Sequence, residues 1–340
     1  MKYTFPLAAV IALVLIAWIG SKIPGMQYLF GVVIPWVAVA TFIIGFCYRV
    51  VHWAKSPVPF KIPTTCGQAY SLPWIKQDKL ESPATTSQVV ARMFLEIFFF
   101  RSLWRNTKAE MHDGPKLTYE SSKWLWLFGI LFHYSFLVII LRHMRLFVDP
   151  VPGFIQALEF GDSLLQIGAP TMYLTDVTIL LGLTLLFGRR LINRQVKYIS
   201  LANDYFPLFL IFAIAVTGIL MRFFLRTDVD IVSIKRLAIG LATLQPTIPA
   251  DIASIFYIHI FLVSVLLAYF PFSKLMHMGG VFLSPTRNLA NDSRMRRHIN
   301  PWNPDIKPHS YAGYEDEFRE FMVDAGIPVE KELPPKADEE

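Results

Sequence analysis

Cysteine is scarce in this chain of 340 residues, which contains only Cys47 and Cys66. The two cysteines form neither a CxxC nor a CxxCH motif, the patterns that ligate iron–sulfur clusters or attach c-type haem. The sequence therefore excludes a self-contained iron–sulfur site and covalent haem attachment. It does not indicate a structural disulfide either.

Charged residues are also few, at 17% of the chain against about 25% in soluble proteins. Hydrophobic residues reach 54% and are clustered, and a helix needs about 20 of them to cross a membrane. The pattern predicts an all-α membrane bundle with six transmembrane helices. They fall at roughly 5–20, 29–51, 123–145, 170–188, 204–225 and 252–273. The first is predicted to be a retained span, because no small-x-small cleavage site follows it.

The net charge of +6 is unevenly distributed along the chain. Lys and Arg crowd the segments 49–123, 189–197 and 274–297, whereas 146–188 contains neither. The positive-inside rule then predicts a multi-pass protein of the cell membrane with both termini in the cytoplasm. Because topology explains the basic excess, no nucleic-acid partner is expected.

The polar connections differ in character. Residues 1–28 are interpreted as an extra N-terminal transmembrane helix, 29–278 as the main membrane domain with a cytoplasmic connection at about 52–122, and 279–340 as a cytoplasmic tail. Within the connection, the apolar segment 87–104 is interrupted by Arg92, Glu96 and Arg101. We expect it to lie in the membrane interface or to dock on a partner subunit. In the tail, "YEDEFREFMVDAG" suits either docking or a solvated helix.

Four of the eight histidines occupy apolar spans or their ends: His133, His143, His259 and His277. Ionisable residues are rare in spans and are candidate functional residues. The other four, His52, His112, His298 and His309, lie in polar connections and are interpreted as solvated. The third and sixth spans run antiparallel, so His133 and His277 lie near the cytoplasm and His143 and His259 near the outer face.

Helical geometry supports the pairing of these histidines across the bundle. On one ideal helix His259 and His277 point the same way, about 18 × 100° apart, while His133 and His143 differ by about 80°. The axial separations, about 27 Å and about 15 Å, disagree, and a bend at Pro271 can absorb part of the mismatch. Two facing imidazoles suit the axial positions of an iron porphyrin held between helices.

Other residues fit this interpretation without requiring it. The glycines Gly129, Gly182 and Gly218 either let a flat macrocycle approach or are ordinary span glycines. Cations for haem propionates are Arg142, Arg145 and Arg222 outside, and Lys123, Arg189 and Arg190 inside. A rival interpretation is a soft-metal or proton site using Met144, Met276 and Met278. A sequence neighbour points about 100° away on a helix, however, which separates these thioethers from the imidazoles.

The histidine spacing of ten and then eighteen residues, followed by "FPFSKLMH", closely resembles the nitrate reductase gamma-subunit family of dihaem cytochromes b. The resemblance implies that His133 and His277 bind an inner haem b, and that His143 and His259 bind an outer one. Within that family, "LFHYSFLVIILRHMRLF" and the tail 297–331 look most like the DsrM branch of sulfite-reduction (DsrMKJOP) complexes. That branch is related to the membrane subunit of heterodisulfide reductase.

The resemblance also implies partners: a cytoplasmic iron–sulfur subunit of the DsrK type, periplasmic cytochrome c and iron–sulfur subunits, and a second membrane subunit. It implies menaquinone as the membrane substrate. Nitrate reductase cytochromes carry a lysine near their quinone site, but 146–188 contains none. The candidates for a quinone site are therefore Arg142, Arg145, Gln166 and Asp176.

These observations predict an electron-transfer subunit that connects menaquinol with a cytoplasmic redox partner in sulfite or sulfate respiration. The alternatives are the cytochrome b subunit of a heterodisulfide reductase or nitrate reductase, a metal or proton transporter, and an anchor that recruits enzymes through its tail. The direction of electron flow does not follow from the residues.

Overall fold

The computed structural model describes residues 2–56, 74, 76, 78–112, 114, 116–165, 171–225, 228–249, 252–292 and 307–332. The chain divides into two compact units, 1–298 and 299–340. The helices are α1 (Thr4–Ser21), α2 (Met26–Tyr28), α3 (Ile34–Ala54), α4 (Thr86–Phe99), α5 (Arg101–Arg105), α6 (Lys123–His143), α7 (Gly153–Asp162), α8 (Leu174–Ile192), α9 (Arg194–Ile199), α10 (Ala202–Ile219), α11 (Ile231–Ala242), α12 (Ser254–Tyr269), α13 (His277–Gly280), α14 (Pro285–Asn288) and α15 (Tyr311–Asp324).

Five helical stretches in the described part of the chain are long and apolar enough to cross a membrane. They are Thr4–Ser21, Met26–Ala54, Lys123–Leu146, Ala202–Phe224 and Ser254–Phe272. The remaining predicted span corresponds to α8, which carries Asp176, Arg189 and Arg190 near its ends and is not among the five. The predicted all-helical class is confirmed, and six spans are consistent with these helices.

Shorter helical turns join and extend the spans. A π-helical turn at Leu29–Val33 links α2 to α3, and another at Leu220–Phe224 extends α10. Single 3-10 turns lie at Met144–Leu146, Phe270–Phe272, Lys274–Met276 and Val281–Leu283.

The apolar core of the first unit lies between the long helices. Helix α8 packs against α6 and α10, α10 packs against α12, and α12 packs against α3, while α1 lies on both α10 and α12. Leu210, Leu237 and Leu262 are fully buried in this core. Leu210 and Leu262 belong to α10 and α12, which are apolar on all sides, as expected for segments that face both protein and lipid, whereas Leu237 lies on the buried face of the amphipathic α11.

The sixth span is not one continuous helix as far as His277, which corrects the ideal-helix geometry used above. Helix α12 ends at Tyr269, a 3-10 turn follows over Phe270–Phe272, and the backbone is extended at Ser273. Pro271 lacks the N–H that would continue the helix, and the Ser273 hydroxyl accepts a hydrogen bond from the N–H of Leu275 at 3.2 Å. The break redirects the chain before His277, so the separation of about 27 Å, which assumes one continuous helix, does not apply.

Two short antiparallel hairpins, which the sequence did not predict, accompany the helices. Strand β1 (Thr107–His112) pairs with β2 (Lys116–Ser121) in the connection before α6. Strand β3 (Ser163–Leu165) pairs with β4 (Met172–Tyr173) between α7 and α8. The second hairpin brings the end of α7 to the beginning of α8.

The second unit contains α15, which begins after Ser310. The Ser310 hydroxyl accepts from the N–H of Gly313 at 3.1 Å and caps the helix. Glu315 is buried and accepts from the N–H groups of Glu330 and Lys331 at 2.9 and 2.8 Å. The segment after α15 therefore folds back onto the helix.

Candidate functional site

The structure brings His133 and His277 together. Their ring centroids are 5.9 Å apart, and the ring planes are inclined at 83°. Nδ1 of His133 lies 2.7 Å from the carbonyl oxygen of Gly129, and Nδ1 of His277 lies 2.8 Å from that of Lys274. A carbonyl can only accept, so Nδ1 of both rings is the protonated nitrogen.

His143 and His259 form a second pair further along the same two spans. The centroids are 6.3 Å apart, and the planes are within 10° of parallel. Nδ1 of His143 donates to the carbonyl oxygen of Ile139 at 2.7 Å. Nδ1 of His259 lies 2.9 Å from the hydroxyl of Thr217, which itself donates to a backbone carbonyl of α10 and so accepts from the ring.

Each of the four rings thus has its Nδ1 engaged, and its Nε2 carries a free lone pair. Ligating histidines characteristically donate their other ring N–H in this way, which orients the ring and raises its basicity. Consider one metal ion bound by two imidazole nitrogens, each at about 2 Å. With ring bonds of about 1.3 Å, the two ring centroids then lie about 6 Å apart. Both centroid separations are close to this value, so each pair has the spacing that two imidazoles on one metal ion would have.

The three span glycines have different neighbours. A Cβ on Gly182 would lie 3.1 Å from the backbone nitrogen of Phe132, so this glycine allows close packing of α8 on α6. A Cβ on Gly218 would lie 3.4 Å from Cε1 of His259, and Gly129 borders Phe100 and Leu103. Gly182 therefore serves helix packing, and Gly218 leaves space beside a histidine ring.

A buried ionic cluster lies next to His143 at the same end of α6. Arg142 donates to the carboxylate of Asp162 and, at 2.9 Å, to the hydroxyl of Thr175. Asp162 also accepts from the N–H of Thr175 at 3.0 Å and from its hydroxyl at 2.6 Å. Asp176 Oδ1 lies 3.8 Å from Arg142. Asp176 Oδ2 is buried and accepts no hydrogen bond within the described part of the chain.

Tyr173 connects this cluster with α10. The guanidinium carbon of Arg142 lies 3.4 Å from the Tyr173 ring centroid, and that of Arg222 lies 3.9 Å from it. Arg222 also donates to the carbonyl of Thr171 at 3.1 Å. Two cations therefore flank one aromatic ring, an arrangement that cation–π attraction stabilises.

The other predicted residues are placed less centrally. Arg145 is largely exposed and pairs with Glu159 at 2.8 Å, and Gln166 lies outside the described residues. Lys123 lies over the Trp104 ring, and Arg190 donates to Ser200. The thioethers do not share an environment, since Met276 is buried whereas Met144 and Met278 are exposed.

Several residues of this region were missed in the sequence. No other polar residue of α10 lies one helical turn from Thr217, so no sequence pattern singles it out. Its role becomes visible only in its contact with His259. Asp162 lies at the end of α7, twenty residues from Arg142. Asp162 precedes β3, Tyr173 ends β4 and Thr175 follows β4. Only the pairing of β3 with β4 shows that these three residues come together.

The fold and the paired imidazoles define a multi-pass helical membrane protein with two candidate metal-binding histidine pairs. The chain belongs to the nitrate reductase gamma subunit family, whose sequence model matches residues 89–297. This confirms the resemblance at the level of the family.

Two relatives extend the match beyond the family segment. An Archaeoglobus fulgidus protein, described as an Hdr-like menaquinol oxidoreductase cytochrome b-like subunit, is 47% identical over 287 residues, which cover 82% of this chain and 85% of the relative. A protein of the same description from Archaeoglobus profundus is 42% identical over 279 residues, 80% of this chain and 82% of the relative.

Proposed function

We propose that this chain is a dihaem b-type cytochrome that transfers electrons between menaquinol and a cytoplasmic iron–sulfur subunit. The observation that carries the proposal is the presence of two facing imidazole pairs whose Nδ1 atoms are all hydrogen-bonded. His133 and His277 would hold the inner haem, and His143 and His259 the outer one. The description of both relatives as cytochrome b-like subunits of menaquinol oxidoreductases supports it.

In this activity the protein would bind the haems, orient the imidazoles that hold them and keep water away from them. Haem iron held by two imidazoles supplies reversible one-electron transfer. The acceptors of the Nδ1 protons, Gly129, Ile139, Lys274 and Thr217, hold the rings in place and strengthen their donation. The apolar helices exclude water from the path between the two pairs. We propose that the inner pair faces the cytoplasm and that both termini lie there.

The cluster beside His143 is the proposed position of the quinol headgroup. Oxidation of a quinol releases two electrons and two protons, so its hydroxyls need acceptors. Asp176 Oδ2 offers a buried acceptor atom without a donor among the described residues. Arg142 is held by Asp162 and fixes the charge beside it. Arg145 and Gln166 remain candidates for the rim of this site.

The finer assignment is also a proposal. The tail and the 131–147 segment support placing the chain in the DsrM branch, with a role in sulfite or sulfate respiration. Its partners would be a DsrK-like iron–sulfur subunit, periplasmic cytochrome c and iron–sulfur subunits, and a second membrane subunit. We propose residues 1–28 as an added helix, 29–278 as the dihaem domain and 279–340 as the tail that meets the cytoplasmic partner.

The test is haem quantification on the purified full chain. We expect two haem b groups per polypeptide, with dithionite-reduced bands of the b type. Alanine at His133 or His277 should remove one haem, and alanine at His143 or His259 the other. His309→Ala, at an exposed histidine of the second unit, is the control and should keep both. A chain that binds no haem in any preparation contradicts the proposal and favours a transporter or an anchor.

The position of the quinol is tested separately with Asp176→Asn, which keeps the shape of the side chain. We expect normal haem content and slower reduction of the haems by a menaquinol analogue, while reduction by dithionite is unchanged. Unaltered reduction by the analogue would place the quinol elsewhere.

A further inference from the structure

Helix α4 has its charged residues inside and large apolar residues outside. Arg92 and Glu96 are only 5% and 7% exposed, whereas Val90, Phe94 and Phe98 are 63%, 52% and 47% exposed. The spacing of four places these three apolar residues, here named the α4 stripe, on one face of the helix. A helix on a water-facing surface has the opposite arrangement.

Hydrogen bonds within the protein fix this orientation. Arg92 donates to the carbonyls of Leu80 and Glu81 at 3.0 and 2.7 Å. Glu96 accepts from the N–H of Ser102 and from the Arg287 guanidinium, both at 2.9 Å. Arg92 and Glu96 are therefore bound to the loop before α4, to α5 and to α14, and rotation of α4 would break these contacts.

The junction between α4 and α5, residues 98–101 and here named the elbow, lies against α6. Phe100 has a left-handed backbone with φ of 50°, which interrupts the helix and frees carbonyl groups. The carbonyls of Phe98 and Phe99 accept from the Tyr134 hydroxyl and from the Trp126 indole N–H, both at 2.7 Å. Irregular backbone at membrane depth is tolerated only where protein groups satisfy it in this way.

The contacts of the elbow give its position along α6. A Cβ on Gly129 would lie 3.7 Å from Leu103 and 4.0 Å from Phe100, and the Phe100 ring lies 5.1 Å from that of His133. Gly129 and His133 are about 9 and about 15 Å along α6 from Lys123, at a rise of 1.5 Å per residue. A helix that lies in the interface is buried by only about 5–10 Å.

The α4 stripe continues the outward side of α6. Leu127, Tyr134 and Leu137 of that span are exposed on the chain surface, and the bond from Tyr134 to Phe98 joins the two surfaces. A face that is apolar along its length and continuous with a membrane-spanning helix matches lipid chains rather than water. The segment from Val90 to Phe98 contributes no exposed charge to it.

We propose that α4 and α5 form a re-entrant element, with the α4 stripe in contact with lipid acyl chains and the elbow inside the hydrocarbon layer. The proposal does not depend on the bound cofactor. It requires that the depth in the bilayer increases along α4 from its N-terminus towards Phe100.

Site-directed spin labelling of the full chain in phosphatidylcholine vesicles tests this gradient. Single cysteines replace Val90, Phe94 and Phe98 in turn, in a background with Cys47→Ser and Cys66→Ser. Oxygen partitions into hydrocarbon and a nickel chelate stays in water, so the ratio of their relaxation effects reports depth. We expect the ratio to rise from Val90 to Phe98. A label at Leu137 serves as the lipid-facing standard, and one at Tyr119 on β2 as the aqueous control.

Two results overturn the proposal. Labels at Phe94 and Phe98 that the nickel chelate reaches as readily as the label at Tyr119 would place the stripe in water. Labels shielded from both reagents would show a face covered by protein, either a second copy or another subunit.

A measurement on the unsubstituted chain guards against variants that do not fold. Lipids with a diazirine at the end of an acyl chain should crosslink to the tryptic peptide 93–101. They should leave the peptide 117–123, which contains β2, unmodified. Crosslinking of neither peptide, in vesicles where α6 is modified, contradicts the proposal.

Discussion

The imidazole rings of His143 and His259 are nearly parallel, at 10°, whereas those of His133 and His277 are nearly perpendicular, at 83°. Each ring is held in its orientation by its own Nδ1 hydrogen bond. When two imidazoles bind a haem iron on opposite sides, parallel rings donate into the same one of its two d orbitals of π symmetry and separate the two in energy. Perpendicular rings donate into both orbitals and leave them nearly degenerate. Under the proposed dihaem function, the two sites would therefore differ in electronic structure.

The first prediction concerns the ferric spectra of the two sites. We expect low-temperature electron paramagnetic resonance of the oxidised protein to show one rhombic low-spin signal and one strongly anisotropic signal with a large maximal g value. His143→Ala should remove the rhombic signal, and His277→Ala the anisotropic one. Two signals of the same type would contradict the ring geometry.

The second prediction concerns Thr217, which accepts the Nδ1 proton of His259 at 2.9 Å. Thr217→Val keeps the shape but removes the acceptor, so His259 becomes a weaker donor. Loss of such a partner typically lowers metal affinity about 10–100-fold. We expect lower occupancy of the outer haem and a more positive reduction potential, measured by redox titration. Thr217→Ser, which keeps the hydroxyl, should restore both values, and the inner haem should not change.

The third prediction concerns the buried pair of Arg142 and Asp162, whose side chains are 9% and 5% exposed. Asp162→Ala leaves the guanidinium charge without its closest partner, and breaking a buried pair in this way costs about 3–5 kcal/mol. We expect a loss of that order in the free energy of unfolding, measured in detergent micelles. Glu159→Ala, which removes the partner of the exposed Arg145, is the matched control and should cost about 0–1 kcal/mol. Equal losses would contradict the role of burial.

The sequence was sufficient to predict the apolar spans and to single out the four histidines, because both follow from composition and period. The pairing of His133 with His277 followed from counting spans. The break after Tyr269 was only partly predictable. Pro271 signals it, but its extent depends on Ser273, which caps the next turn, and on Gly45, where a Cβ would lie 2.7 Å from Pro271.

The ionic cluster and the orientation of α4 could not be predicted, since both depend on contacts between distant segments. The bond from Arg142 to Asp162 requires the hairpin of β3 and β4. In the 87–104 segment, Arg92 and Glu96 occupy one face, and Arg101 belongs to the next helix. Considered as one helix, the segment had no clean polar stripe. The left-handed residue Phe100, which separates the two helices, carries no signal in its residue type.

The last prediction concerns the tail and its dependence on pH. The N–H of Glu330 lowers the pKa of Glu315 below its usual value of 4.5; burial opposes this shift, and the N–H of Lys331 and the Arg319 side chain reinforce it. The contribution of the carboxylate to the stability of the folded tail is therefore complete above about pH 4.5, where the group is ionised even in the unfolded tail, and is lost as the pH falls through the lower pKa of the folded state.

Hydrogen exchange of the full chain should show protected amides at Glu330 and Lys331 at neutral pH, and this protection should decrease on acidification below about pH 4.5. In Glu315→Gln the protection should be weaker and should no longer change with pH, because the amide cannot ionise. Glu320→Gln, on the exposed side of α15, should behave as the unsubstituted chain does; the same loss there would attribute the pH dependence to the overall charge of the tail rather than to Glu315.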